Sequence, residues 1–115
     1  MVIETIEYPD GSKYIGDLKD GKPHGKGIST FPDGTMYEGN WVVGKRDGLG
    51  IMTYPNGIIY DGLWKNDKKH GKGIMTFPDD TKEELEFNED EPVIKSMKRK
   101  IHLKSTLIFS SYLVS

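Results

Sequence analysis

The sequence predicts an all-β repeat protein, on three observations. A 23-residue unit recurs three times in register, opening at Tyr14-Ile15-Gly16-Asp17-Leu18, Tyr37-Glu38-Gly39-Asn40-Trp41 and Tyr60-Asp61-Gly62-Leu63-Trp64. Within each copy, short alternating segments are separated by glycine- and proline-rich turn signals. The chain has 115 residues, 35% hydrophobic and 30% charged, with a mean hydropathy of -0.59. That is too little apolar material for a thick two-layer core, and it suits a single sheet stabilised by neighbour contacts. A fixed period in the twenties marks units that bury their apolar faces against one another.

The first copy continues through His24-Gly25-Lys26-Gly27 and Phe31-Pro32-Asp33-Gly34. The second continues through Gly48-Leu49-Gly50 and Tyr54-Pro55-Asn56-Gly57, the third through His70-Gly71-Lys72-Gly73 and Phe77-Pro78-Asp79-Asp80. Tyr-x-Gly-x-Trp followed by His-Gly-x-Gly and an aromatic-Pro-Asp-Gly closely resembles the MORN repeat across residues 14 to 81. The resemblance implies an elongated, single, twisted antiparallel sheet of successive β-hairpins, and binding or scaffolding in place of catalysis. The chain divides into a partial N-terminal repeat (1–13), repeats at 14–36, 37–59 and 60–82, a degenerate terminal repeat (83–91) and a basic, apolar tail (92–115).

Tyr8-Pro9-Asp10-Gly11 aligns with Phe31-Pro32-Asp33-Gly34, so the first residues read as the second half of a unit and as part of the fold; the alternative reading is a chain cut from a longer array. Val2 to Tyr8 is expected to form the opening strand, and the acids Glu4 and Glu7 argue against a secretory signal. In the first strand of each unit, positions i, i+2 and i+4 share a face. That face carries an aromatic, a glycine, and an aromatic or leucine. Gly16, Gly39 and Gly62 are expected to lie beneath rings from neighbouring strands. The second strand starts near Gly27, with Ile28, Ile51 and Ile74 on one of its faces. A longer connection spans Lys19 to Lys26, and the Pro-Asp-Gly stretches are tight reversals.

Glu83-Glu84-Leu85-Glu86-Phe87 keeps only the last aromatic and reads as a terminal edge blunted by acids. The segment from Val2 to Tyr8 is the less protected edge, a candidate for pairing with a second copy or an extended peptide. Residues 95–115 carry five basic residues and no acid, against a net charge of -7 for residues 1–94. Both helical and strand spacing fit the tail. Three readings stay open for it: a capping segment, a membrane-surface anchor, or a disordered end.

The chemistry is sparse. His24 and His70 share a repeat position that Asp47 occupies in the middle unit, and they read as turn residues. The stretch Gly21 to Gly27 lacks the strand-to-helix context of a phosphate loop. With no cysteine, neither a disulfide framework nor a thiolate metal site is available, which fits a reducing compartment. No cofactor is expected. No nucleic acid is expected either, because the repeat region is acidic and the aromatics are explained by packing.

Tyr14, Tyr37, Trp41, Tyr60 and Trp64 form the candidate binding groove. Basic residues gather in the longer connections, so Lys22, Lys45, Arg46, Lys68 and Lys69 form a candidate edge for anionic surfaces, opposite an edge that collects Asp10, Asp33, Asp79 and Asp80. The leading expectation is a non-enzymatic module for protein–protein interaction or scaffolding. Its alternative is peripheral binding to anionic phospholipid through the basic edge and tail. The expected location is cytoplasmic, peripheral to membrane or cytoskeleton. An enzyme ranks last, since no nucleophile, base and oxyanion donors converge.

Overall fold

The computed structural model describes residues 3–93. Among these, nine strands follow one another: β1 (Glu4–Glu7), β2 (Lys13–Lys19), β3 (Lys22–Thr30), β4 (Met36–Val42), β5 (Lys45–Thr53), β6 (Ile59–Lys65), β7 (Lys68–Thr76), β8 (Lys82–Asn88) and β9 (Glu91–Pro92). They form one open antiparallel sheet whose spatial order is the chain order, elongated to 45 × 24 × 21 Å. Val2 and the tail from residue 94 onward, with the three readings made for that tail, lie outside the described residues. Pro92, assigned to the tail by its sequence, belongs to β9.

The alternation in the sequence sets which face is buried. In β6, Tyr60, Gly62 and Trp64 point to the covered face, while Ile59, Asp61, Leu63 and Lys65 face solvent. β2 and β4 repeat the pattern with Tyr14 and Tyr37. The core lies on this one face and consists of Tyr14, Tyr37, Trp41, Met52, Ile58, Tyr60, Trp64, Met75, Phe77, Leu85 and Phe87. A lone hairpin is marginal in water, so each owes its order to the hairpins beside it.

Two turn types alternate. At Tyr8-Pro9-Asp10-Gly11, the Gly11 N–H donates to the Tyr8 carbonyl at 3.0 Å, and the Tyr8 N–H donates to the Ser12 carbonyl at 2.9 Å. Proline supplies the first φ of the turn, and the residue after the Asp or Asn takes positive φ, even where it is Asp80. The acidic or amide side chain then accepts the N–H two residues on: Asp10 from Ser12, Asp33 from Thr35, Asn56 from Ile58 and Asp79 from Thr81.

The other connection differs from its expected form. The stretch from Lys19 to Lys26 contains only a two-residue turn, Asp20-Gly21, because β3 already begins at Lys22. Asp20-Gly21, Val43-Gly44, Asn66-Asp67 and Glu89-Asp90 all have positive φ at both positions, the conformation that matches the twist of flanking strands. The surplus residues sit within the strand as a bulge. Gly39 pairs with Gly50 and Trp41 with Arg46, so Asp47, Gly48 and Leu49 face Asn40 alone. Gly48 sits there at φ +97°, which a side chain rarely adopts.

The C-terminal edge also differs from its expected form. β8 is not the outermost strand: Phe87 pairs with Pro92 and Asn88 with Glu91. Leu85 opposes Gly73 where Gly39 and Gly62 stand in earlier repeats. With Glu83 in the tyrosine position, no ring lies flat here and a side chain fits.

Candidate functional site

Six glycines form the floor of the covered face. Gly16 pairs with Gly27, Gly27 with Gly39, Gly39 with Gly50, Gly50 with Gly62 and Gly62 with Gly73, a bare row across six strands. Tyrosine rings lie flat on it. A Cβ on Gly50 would sit 2.1 Å from Tyr37 Oη, and one on Gly27 2.2 Å from Tyr14 Oη. The ring over Gly16, Gly39 or Gly62 thus belongs to the same strand, two residues earlier, and crosses to the next strand's glycine. The sequence alone suggests a ring from a neighbouring strand, and the strand's own tyrosine takes that place. Each hydroxyl then reaches a backbone carbonyl: Tyr14 donates to Asp17 at 2.6 Å, Tyr37 to Asn40 at 2.8 Å and Tyr60 to Leu63 at 3.2 Å.

Tryptophans stand between the tyrosines, edge to face. The ladder runs Tyr14, Trp41, Tyr37, Trp64, Tyr60, Phe87, with ring centroids 5.1 to 5.5 Å apart. This arrangement sets the positive ring edge against the negative ring face. Trp41 Nε1–H donates to the Gly27 carbonyl at 3.1 Å and Trp64 Nε1–H to Gly50 at 3.2 Å. The five residues that the sequence suggests as a groove are brought together as a buried core, 0 to 6% exposed, with Phe87 completing the ladder.

The basic residues divide into two groups. Lys22, Lys45 and Lys68 are exposed beside the two-residue turns, with Lys19 opposite Lys22 and Lys65 opposite Lys68. Arg46 and Lys69 leave that edge. They occupy the next strand position, on the covered face, and fold across the rings. The Arg46 guanidinium lies 4.9 Å from the Trp64 centroid and 5.9 Å from that of Tyr37. Lys69, only 8% exposed, sits among four rings. Their apolar stems suit this place, and the ring faces attract the charge. Sequence reasoning missed this role. Its signal was their position, one residue further from the turn than Lys45 and Lys68, which reverses the face.

Arg46 Nε–H donates to Asp67 Oδ1 at 2.5 Å, and its Nη2–H to the Asp67 carbonyl at 3.1 Å. Burial raises the Asp67 carboxyl, but the hydrogen bond and charge of Arg46 outweigh it and hold the group below the usual carboxylate range. Consecutive hairpins are stitched together at this edge. The Gly44, Asp67 and Asp90 N–H groups donate to the carbonyls of Pro23, Arg46 and Lys69. His24 serves the same seam, its Nδ1 accepting from the Val43 N–H at 3.1 Å, and Asp47 takes that place for Asn66. His70 occupies the equivalent position, half-buried.

The ladder is open at one end. A groove of about 570 Å³ lies over the first repeat, lined by Tyr8, Tyr14, Phe31, Trp41, Pro23 and Ser29, with Asp10 and the Arg46–Asp67 ion pair also on its wall.

The MORN repeat profile matches residues 14–36, 37–59 and 60–82. The chain belongs to the MORN repeat family. Those limits coincide with the period of the glycine floor and ring ladder. MORN repeats are non-catalytic modules. A comparison with curated proteins finds no match.

The tyrosines give the MORN sheet an alkaline limit. Burial pushes the Tyr37 hydroxyl up to about 12 from an ordinary 10.0, and burial likewise raises Tyr14 and Tyr60. Folding thus favours the neutral phenol, so its contribution is complete below pH 10.0 and is lost as pH rises toward about 12. Denaturation midpoints should fall across that window, and less steeply in Tyr37→Phe. Equal slopes in the two proteins would refute this assignment.

Proposed function

We propose that this MORN array is a non-enzymatic protein-interaction module that takes a segment of a partner protein into the groove over its first repeat. The observation that carries the reading is the groove itself: over the later repeats Arg46 and Lys69 lie across the rings, whereas over the first repeat exposed Tyr8 and half-buried Phe31 line open space above the buried rings of Tyr14 and Trp41. Apolar walls with a few polar groups at the rim are what a protein segment docks on.

A photo-crosslinking residue in place of Phe31, inside the groove, should capture the same partner repeatedly. The same residue in place of Ile51, on the opposite face, should not. Capture from Ile51 alone, or equally from both, would overturn the assignment.

A second reading has its own support, the like-charged pairs Lys19–Lys22 and Lys65–Lys68 held opposite each other at one edge. Such repulsion is offset by an anionic surface, where each lysine contributes about 1 kcal/mol. Co-sedimentation with phosphatidylserine vesicles is the arm that separates it: the lipid reading requires binding that is lost on replacing Lys22, Lys45 and Lys68 together.

A further inference from the structure

The 23-residue period allows each station along the ring ladder to be compared with the next. Lys69 Nζ lies 5.5 Å from the centroid of Tyr54, 5.6 Å from those of Tyr60 and Trp64, and 5.8 Å from Phe87. One period earlier, Arg46 lies over Tyr37 and Trp64. One period earlier again, the equivalent residue is Pro23, buried and uncharged. Yet three rings of the cage persist there. Tyr8, Tyr14 and Trp41 stand two periods before Tyr54, Tyr60 and Phe87, with Leu18 in place of Trp64.

Two more departures coincide with the loss of the cation. Met52 and Met75, both buried, fill the face opposite Tyr37 and Tyr60, but Ser29 stands opposite Tyr14. Asp67 and Asp90 accept the backbone N–H groups of Arg46 and Lys69, but Gly44 holds their position here. Cation, carboxylate and filler are replaced together while three of the four rings are kept, and the groove lies where they are missing. Its ring at the mouth, Tyr8, is 38% exposed, whereas Tyr54 beside Lys69 is half-buried. Asp10, fixed by the Ser12 hydroxyl, brings a carboxylate to the same groove, and the charge of Arg46, which also lines it, is already neutralised by Asp67.

Building on the groove reading, we propose that the first repeat is an unfilled cation station, and that its ligand is a lysine or arginine side chain of the partner protein. Tyr8, exposed at the mouth, and the small accessible part of Trp41 receive the charge above the buried Tyr14, Pro23 and Phe31 wall the alkyl stem, and Asp10 supplies the opposite charge. The array thus completes two of its stations from within and the third from outside.

The two tryptophans provide the test, since their indole N–H resonances report separately on the open station (Trp41) and on a filled one (Trp64). The isotope-labelled full chain would be titrated with the blocked tripeptides acetyl-Gly-Arg-Gly-amide and acetyl-Gly-Lys-Gly-amide, and with the neutral citrulline analogue. The cationic peptides should shift Trp41 and leave Trp64 in place, and the citrulline peptide should bind roughly 3- to 30-fold more weakly. Pro23→Lys and Ser29→Met each install what a later repeat carries at that register, and either should abolish the response.

No Trp41 response to the cationic peptides, equal binding of the citrulline peptide, or a response that survives both substitutions would overturn the proposal. Should one variant fail to fold, the other and the wild-type comparison still decide. Photo-capture from Phe31 without a cation response would remove the station and keep the groove reading, and a cation response without capture would do the reverse.

Discussion

Replacing Trp64 by alanine is expected to cost about 3–5 kcal/mol of folding stability, a large part of the roughly 5–15 kcal/mol available to a small domain. The indole is 4% exposed and stands edge-on to Tyr37 at 5.4 Å and Tyr60 at 5.5 Å. Its N–H satisfies the Gly50 carbonyl, and both Arg46 and Lys69 lie over it. Alanine would leave a cavity in the middle of the ladder, an unpaired carbonyl beneath it and two partly desolvated cations above it. Trp64→Phe keeps a ring but gives up the hydrogen bond, so about 1 kcal/mol is expected. Urea midpoints of the two variants check this, and an alanine variant no weaker than the phenylalanine one would contradict the central place given to the indole.

Gly39→Val should be comparably severe for the opposite reason. A Cβ there would lie 2.4 Å from the Gly50 Cα and 2.5 Å from the Leu49 carbonyl oxygen, so the clash is with backbone that cannot rotate aside. Overpacking commonly costs about 1–3 kcal/mol, and the absence of a flexible neighbour places this case at the top of that range. Gly21→Asn is the control. Nothing lies within 4 Å of a Cβ at Gly21, and asparagine tolerates its positive φ, so a change of less than about 1 kcal/mol is expected. Similar denaturation midpoints for the two variants would rule out the close approach of the strands as the reason for the glycine.

The sequence made the repeat legible because one unit recurs with little change, and the aromatic and glycine positions of Tyr37, Gly39 and Trp41 fall on one face at strand spacing. Two things were hidden. The stretch from Lys19 to Lys26 reads as a loop because glycine signals both turns and bulges, and only the pairing of Gly39 with Gly50 and Trp41 with Arg46 distinguishes them. Lys69 beside a turn reads as solvated, and its burial depends on which face the bulge presents. The groove was visible only as departures, Pro23 against Arg46 and Lys69, and Ser29 against Met52 and Met75. A single sequence offers no reason to read such departures as anything but drift.

Chain-order strand pairing has a further consequence, for how the protein acquires its structure. Among the described residues every hairpin closes through a connection of two or five residues, and no strand waits for a distant one, so ordering any pair costs little loop entropy. Folding can nucleate at any repeat and spread in both directions like a zipper, with low contact order favouring speed. The free energy of opening should then be graded along the array. Amide hydrogen exchange would be slowest at β4 to β7, under the centre of the ladder, and fastest at β1 and β9, so the end that carries the open groove is also among the first to loosen.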